Sequence, residues 1–433
     1  MATDPTQRVR EQVVDSPLDL DLQRALRRLA ALEPSPAIPY LTIALDWRPD
    51  GQDPGRRPAR QFIEQELDRL LGEREYRDPV AVSVRDDLEL IRTFLDEDAD
   101  AASQGIVIVA CAARNVFETL QIGLPVESNV TLAPTPALLM LAKLAEDYEP
   151  YAVLLVDQHE ATLSFIRQAR RHRSMTLDGS EYPRKQATGG WSQRRFQSRA
   201  DERVSAFAQD VAEEVRKALD EAGKRILVVA GDEVMTSALD EHFHQSVKDR
   251  IAGTMRIDIR ASEQEVVELT MPLIEAFERE QEASAVRRLQ ESRGSGGLAA
   301  LGSDDVLAAL QAGQVMTLMM TDDYSQPGWA DYSMSHFGTG DAPKRHPGGG
   351  DAAELEPIQI EEEVVRLALQ TGADIEIVQA VVSMAEMNAV DMDIPEAGGD
   401  PPRTAPAQAL DEFGGIGALL RYALSNDQST TPT

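Results

Sequence analysis

Cysteine is nearly absent from this sequence, and its scarcity bounds where the chain folds. Cys111 is the single cysteine among 433 residues, so no intramolecular disulfide can form and a reducing compartment is expected. The first residues lack the basic and then apolar pattern of a signal peptide, and no apolar run approaches the about 20 residues that a membrane-spanning helix needs. We therefore expect a cytoplasmic protein with no place in a membrane.

Positive charge is also scarce. The chain has 43 Lys and Arg against 74 Asp and Glu, a formal net charge of −31. Such a balance argues against wrapping nucleic acid with the whole surface, because each phosphate contact needs a cation. The window from Arg167 to Arg203 differs, since it holds ten Lys and Arg against four acidic residues. This window is either a solvated charged face or a basic promontory for RNA.

The predicted strands and helices alternate along the chain, which indicates an α/β fold with a mostly sheltered sheet. Length predicts two to four domains, and we expect three. The boundaries are 1–148 for an N-terminal α/β domain, 149–293 for a central domain, 298–424 for a C-terminal α/β domain with an insertion at 321–357, and 425–433 for a disordered tail. The insertion is rich in Gly, Pro and Asp, so we expect it to be mobile, and Gly348–Gly350 within it is interpreted as linker.

Several boundaries follow from local signals. Ser262 and Glu265 form a capping-box pattern that opens a long helix, and Ser303 is the expected N-cap of a later helix. The apolar periodicity and the β-branched runs predict the remaining elements of the central domain. These are strands at 151–157, 161–168, 174–177, 225–230 and 255–259, and a long helix at 191–222.

The most informative motif is Gly189-Gly190-Trp191-Ser192-Gln193-Arg194-Arg195-Phe196. Consecutive glycines have no Cβ and reach backbone angles closed to other residues, so the chain can enter a crowded RNA cavity. A neutral amide can orient a water or stabilise an oxyanion, although it is too weak a base to take a proton alone. The candidate catalytic residues are therefore Gln193, Gly189 and Gly190. The candidate RNA-binding residues are Trp191, Ser192, Arg194, Arg195, Arg199, Arg184 and Lys185.

The same residues resemble the tip motif of the archaeal and eukaryotic class 1 translation release factors, Gly-Gly-Gln-Ser followed by a spaced Arg-Phe. Trp191 stands where that family has its glutamine, and Gln193 lies two positions later. This Gly-Gly-x-x-Gln spacing is similar to the variant in ribosome quality-control peptidyl-tRNA hydrolases and in bacterial relatives of the superfamily. The resemblance implies that Gln193 takes the amide role and that the ribosomal large subunit and peptidyl-tRNA are partners.

Resemblance outside the motif extends to the other domains. The segment 370–376 and the ending Phe413-Gly-Gly-Ile-Gly-Ala-Leu-Leu-Arg-Tyr422 resemble the C-terminal domain of release factors and Pelota, which implies a fold like that of kink-turn-binding ribosomal proteins. The strand at 151–157 opens a domain similar to the family's ribonuclease-H-like domain. The N-terminal domain lacks the Asn-Ile-Lys-Ser and Tyr-x-Cys-x-x-x-Phe elements of stop-codon reading, which favours rescue or quality control of stalled ribosomes over termination.

Other interpretations of these residues stay open. Trp191 is either a core anchor or a base-stacking side chain, Gln193 is an ordinary exposed amide in the absence of RNA, and the arginines either hold phosphates or keep a helix soluble. A non-catalytic ribosome- or tRNA-binding stress factor is the alternative function. A metal-dependent nuclease is the third, on Asp157 with Asp178 and Asp232 as candidate partners. His242 and His244 lack further ligands at zinc spacing, and we expect no metal or cofactor.

Overall fold

A computed structural model describes residues 9–13, 22–51, 57–72, 75, 77–147, 149–167, 170–178, 193–223, 226–292, 298–382 and 401–422. The chain divides into two compact units. Unit 1 comprises Met1–Asp19 and Tyr148–Gln281, and unit 2 comprises Leu20–Asp147 and Glu282–Thr433. Each unit has its own sheets and its own core. Within the described residues, no helix is both long and apolar enough to cross a membrane.

Unit 1 is built on one six-stranded sheet with the strand order β1-β8-β7-β6-β9-β10. Strands β6, β7 and β8 form an antiparallel meander, whereas β9 and β10 continue the sheet in parallel with β6. The order joins hairpin connections on one side of β6 to helical crossovers on the other. The strands are β1 (Val9–Val13), β6 (Tyr151–Val156), β7 (Glu160–Arg167), β8 (Arg170–Asp178), β9 (Leu227–Gly231) and β10 (Ile251–Met255).

Helices cover both faces of this sheet. Alternate residues of β6 point to opposite faces, and Leu154 packs with Phe207 and Val211 on one face while Val153 packs with Val266 and Ile274 on the other. The unit is therefore a three-layer α/β/α structure, as the alternation of elements predicts. Its helices are α5 (Gln193–Ala222), α6 (Glu233–His242), α7 (Gln245–Lys248) and α8 (Glu263–Ser292), the last of which continues into unit 2.

The described residues of unit 2 form three sheets. An antiparallel sheet of order β4-β3-β2-β5 packs against α2 and α3, and a mixed sheet of order β11-β17-β12-β16 packs against α8 and α11. A small antiparallel sheet has the order β14-β13-β15. The strands are β2 (Tyr40–Asp46), β3 (Gly105–Cys111), β4 (Val116–Ile122), β5 (Asn129–Ala133), β11 (Ala299–Leu301), β12 (Val315–Thr321), β13 (Pro327–Asp331), β14 (His336–Thr339), β15 (Glu356–Gln359), β16 (Asp374–Val378) and β17 (Ile416–Leu420).

The helices of unit 2 join its N-terminal and C-terminal halves. Half-buried Glu362 of α10 accepts hydrogen bonds from the backbone N–H groups of Leu138 and Leu139, at the start of α4, at 2.6 and 3.0 Å. In return, Glu146 of α4 accepts from the N–H of Ile377 in β16 at 2.7 Å. The helices are α1 (Leu22–Ala30), α2 (Pro58–Leu71), α3 (Pro79–Glu97), α4 (Leu139–Asp147), α9 (Ser303–Gln311), α10 (Ile360–Thr371) and α11 (Ala405–Asp411).

The structure corrects three local expectations. The strand expected at 255–259 lies at Ile251–Met255, because Ile257 reaches the core from a coil and imitates a strand pattern. Gly302, not Ser303, precedes α9, and the Ser303 hydroxyl donates to Gln326 instead of capping the helix. Within the expected insertion at 321–357, the structure has strands that the sequence analysis did not predict, and these form the small β14-β13-β15 sheet.

Two observations bear on the expected domain limits, which stay predictions. The strand β1 belongs by sequence to the predicted N-terminal domain, yet it pairs with β8 in the sheet of unit 1, with Val9 opposite Leu177.

The capping-box prediction holds in its first half, since the Ser262 hydroxyl accepts from the Glu265 N–H at 3.3 Å. The predicted disordered tail at 425–433 lies outside the described residues.

Candidate functional site

The predicted site occupies the connection between β8 and α5. Strand β8 ends at Asp178 and α5 begins at Gln193. Arg184, Lys185, Gly189, Gly190, Trp191 and Ser192 lie outside the described residues. Gln193, Arg194, Arg195 and Arg199 lie in the first turns of α5, where the backbone is described and the side chains are not. The chemical roles of these residues are therefore inferred from the sequence.

Helix α5 supplies the support for this connection. Its buried stripe of Phe207, Val211, Val215 and Leu219 packs on the sheet, as the three- and four-residue spacing predicts. Gln193 lies 14 residues before Phe207, and a rise of 1.5 Å per residue places it about 21 Å along the axis from that buried stripe. The first turns of α5 therefore continue from later turns of the same helix that are packed in the core.

The basic window separates into paired and unassigned cations. Arg171 of β8 contacts Glu263 at 3.3 Å, and Arg173 contacts Glu221 at 3.4 Å and lies 5.5 Å from the Phe165 ring centroid. These strand arginines connect β8 to its neighbouring helices, so their charge is already matched by carboxylates. The cations that the motif analysis selects all lie later in the chain, from position 184 onward.

Two of the three carboxylates of the nuclease interpretation, Asp157 and Asp232, accept hydrogen bonds from nearby backbone N–H groups. Asp157 accepts from the N–H groups of His159 and Glu160 at 2.7 and 2.8 Å, which closes the turn between β6 and β7. Asp232 accepts from Val234 and Met235 and caps α6. Among the described residues, no three His, Cys, Asp or Glu side chains are grouped so as to hold a metal ion. Local backbone geometry explains both aspartates.

The two neighbouring histidines, His242 and His244, have structural partners. His242 Nε2 lies 2.9 Å from the Ser205 hydroxyl of α5, and His244 Nδ1 lies 2.8 Å from the Ser246 hydroxyl. Phe243, between them in sequence, is buried in the core. The His242 imidazole therefore connects α6 to α5, and the His244 imidazole caps α7.

A feature that the sequence interpretation missed is the 340–350 loop, which connects β14 to a 3₁₀ turn at Ala352–Glu354. Gly348 and Gly350, interpreted as linker, are closely packed: a Cβ on Gly348 would lie 2.8 Å from His336 Nε2, and one on Gly350 would lie 3.0 Å from Met334 Sδ. Histidines placed before a glycine run are the available signal, but a buried histidine anchor is visible only in the folded structure.

Comparison with known proteins shows that part of the chain is similar to a described family. Residues 136–275 match the family described as bacterial archaeo-eukaryotic release factor family 10. The peptide chain release factor subunit 1 of Methanocaldococcus jannaschii is 29% identical over 195 residues, which span 42% of this chain and 46% of the relative. That of Thermococcus kodakarensis is 22% identical over 299 residues, 64% of this chain and 67% of the relative.

Solved structures of similar proteins cover most of the chain, but their TM-scores are low. The Archaeoglobus fulgidus Pelota structure has a TM-score of 0.32 and 13% identity, covering 96% of each chain. An archaeal translation termination factor, aRF1, has a TM-score of 0.22 and 17% identity, covering 93% of this chain and 97% of that one. In the sequence matches, this chain spans about half to two thirds of the length of these relatives.

Proposed function

We propose that this chain binds the ribosome and hydrolyses peptidyl-tRNA in rescue or quality control of stalled translation. The premise of this proposal is that the chain is a bacterial archaeo-eukaryotic release factor-like protein. The observation that carries the proposal is the Gly189-Gly190-Trp191-Ser192-Gln193 motif, which lies inside the family match at 136–275. The relatives are named as peptide chain release factors, so ester hydrolysis is the chemistry to test. A cytoplasmic location belongs to this proposal.

The proposed reaction is attack of water on the ester that joins the peptide to the terminal ribose of tRNA. The carbonyl carbon gains the water oxygen and loses the ribose oxygen, so the products are a peptide acid and a tRNA hydroxyl. Gln193 orients the water, and its amide N–H favours the developing oxyanion. Because an amide cannot accept the proton alone, the large-subunit RNA and the tRNA ribose provide the proton path.

The surrounding residues have supporting roles in this proposal. Gly189 and Gly190 let the backbone approach the ester without a Cβ, and Trp191 and Ser192 contact RNA beside them. Arg184, Lys185, Arg194, Arg195 and Arg199 hold phosphates. The proposal includes a ribonuclease-H-like central domain and a C-terminal domain like the kink-turn-binding ribosomal proteins. The mixed sheets of the two units support a mixed α/β architecture for both.

The test is release of labelled peptide from peptidyl-tRNA, on stalled ribosomes and on isolated large subunits. We expect release by the wild type and its collapse in Gln193→Ala and Gly190→Ala. Gln209→Ala is a matched control, since Gln209 is exposed on the same helix. Gly51→Ala is the glycine control, because no atom lies within 4 Å of the added Cβ. Equal release by Gln193→Ala and the wild type would disprove the proposed role of the amide.

A second candidate is a non-catalytic ribosome- or tRNA-binding factor. Trp191 at the position of the release-factor glutamine is the observation that favours it, because an indole can stack on a base but cannot position water as an amide does. Ribosome binding by the wild type without peptide release would establish this alternative. The nuclease interpretation has less support, since Asp157 and Asp232 already accept two backbone N–H groups each.

A further inference from the structure

The 340–350 loop combines exposed cations with a buried anchor. Lys344 and Arg345 are exposed, whereas the neighbouring His346 side chain is fully buried. His346 Nε2 lies 2.9 Å from Asp331 Oδ2, and His346 Nδ1 accepts from the Gly348 N–H at 2.9 Å. An Nδ1 that accepts a hydrogen bond must be unprotonated. Nε2 therefore carries the proton, and this N–H donates a hydrogen bond to Asp331. One side chain thus fixes the loop at two points.

The scaffold beneath this anchor is also fixed. Asp331 accepts from the N–H and hydroxyl of Ser333 and from the N–H of Met334 at 2.6 to 3.1 Å. At the other end of the loop, the Gly340 N–H donates to the Pro327 carbonyl at 2.8 Å. Pro343 and Pro347 restrict the backbone on either side of the two cations. Lys344 and Arg345 are therefore presented by an ordered loop.

The two cations differ from many other cations of this molecule in having no ion pair among the described residues. Arginines of unit 2 such as Arg60, Arg92 and Arg403 contact carboxylates. Lys344 and Arg345 have no carboxylate within 4 Å among the residues that the structure describes, although the chain carries a net charge of −31. Two adjacent like charges repel each other, and an anionic ligand relieves that repulsion. The exposed Gly348–Gly350 run beside them has no side chain to obstruct a bulky backbone.

We infer that the 340–350 loop is a second RNA-contacting surface, in which Lys344 and Arg345 bind phosphates of an RNA backbone. Arg345 can hold a phosphate through two N–H groups, and Lys344 acts as a point charge. The contact carries no base specificity, because it is made with phosphates. The identity of the RNA as ribosomal rests on the proposed function, whereas the phosphate site rests on the loop itself.

The experiment measures binding of the full chain to a short fluorescent RNA hairpin by anisotropy, across a series of salt concentrations. Removing one phosphate-binding cation lowers the slope of log affinity against log salt by about one. We expect Lys344→Ala/Arg345→Ala to lower the slope by about two. The charge-preserving pair Lys344→Arg/Arg345→Lys should bind like the wild type.

A second pair controls for removal of charge elsewhere. Arg256 and Arg260 of unit 1 are exposed and have no ion pair among the described residues, so Arg256→Ala/Arg260→Ala removes the same charge. An equal change of slope in this control, or an unchanged slope in the loop variant, would overturn the inference. An equal weakening of binding to polyglutamate would assign the loop to an acidic protein instead. Peptide release is a separate readout, so failed hydrolysis with intact RNA binding would count against the proposed function alone.

Discussion

The 184–199 segment and the 340–350 loop both place glycines beside cations in an acidic chain, yet their glycines differ in what they are for. In the loop, Gly348 and Gly350 are exposed but lie close to side chains, since a Cβ on either would meet His336 or Met334. In the earlier segment, Gly189 and Gly190 belong to a family motif whose proposed use is access to RNA. The motif and its resemblance indicated RNA binding for the first, whereas the glycine run of the second was interpreted as linker. Glycine content therefore does not distinguish packing from access.

The largest effect expected from this comparison is on catalysis. Gln193→Ala should lower the release rate at saturating protein by about 100-fold, the usual cost of losing one group that stabilises an oxyanion. Lys344→Ala/Arg345→Ala should leave that saturated rate unchanged and raise the protein concentration needed to reach it. Single-turnover release measured against protein concentration separates the two effects. A lower saturated rate in the loop variant would indicate that both regions contribute to one catalytic site.

The next effect is on stability. Gly348→Ala should destabilise unit 2 by about 0.5–1.5 kcal/mol, because the added Cβ would lie 2.8 Å from His336 Nε2 and that half-exposed side chain must leave its rotamer. Gly190→Ala should leave the melting temperature unchanged while it lowers peptide release. Thermal unfolding of both variants, with Gly51→Ala as the unobstructed control, makes the comparison. A stable Gly348→Ala protein would remove the distinction between packing and access.

The smallest effect is a pH dependence confined to the loop. Hydrogen bonds from the Ser333 hydroxyl, and then from the N–H groups of Met334 and Ser333 and from His346, hold the pKa of Asp331 below its usual value. The stability that this carboxylate contributes is therefore complete above the unfolded pKa of about 3.9 and is lost as the pH falls through the lower folded pKa. Pepsin cleavage near Phe337 should increase in that acidic range.

Asp331→Asn is the matched variant for this pH effect. The amide keeps an acceptor oxygen but has no titrating proton, so cleavage near Phe337 should be faster at all pH values and should lose its acid-dependent step. Asp341→Asn, at an exposed carboxylate of the same loop, should retain the step. An acid-dependent step that persists in Asp331→Asn would assign the titration to another group.

Sequence patterns predicted the elements with strong periodicity. The strands predicted at 151–157, 161–168 and 225–230 correspond to Tyr151–Val156, Glu160–Arg167 and Leu227–Gly231, and the α/β class follows from the alternation of strands with helices. Strand β1 was missed because Val-Arg-Glu-Gln-Val has little apolar content, and its pairing with β8 supplies the order that its sequence lacks. The small sheet was missed because Gly, Pro and Asp dominate it, and burial of Trp329 is a tertiary effect.

Residue identity and spacing are enough to indicate the resemblance and the candidate chemistry, because the glycine pair, the amide and the arginines are recognised as a linear pattern. The roles of the remaining polar residues depend on the folded chain. Asp157 and Asp232 cap backbones, Arg171 and Arg173 pair with glutamates, and His346 anchors a loop that exposes Lys344 and Arg345. Many of these hydrogen bonds and ion pairs join residues distant along the chain, and folding alone brings those partners together.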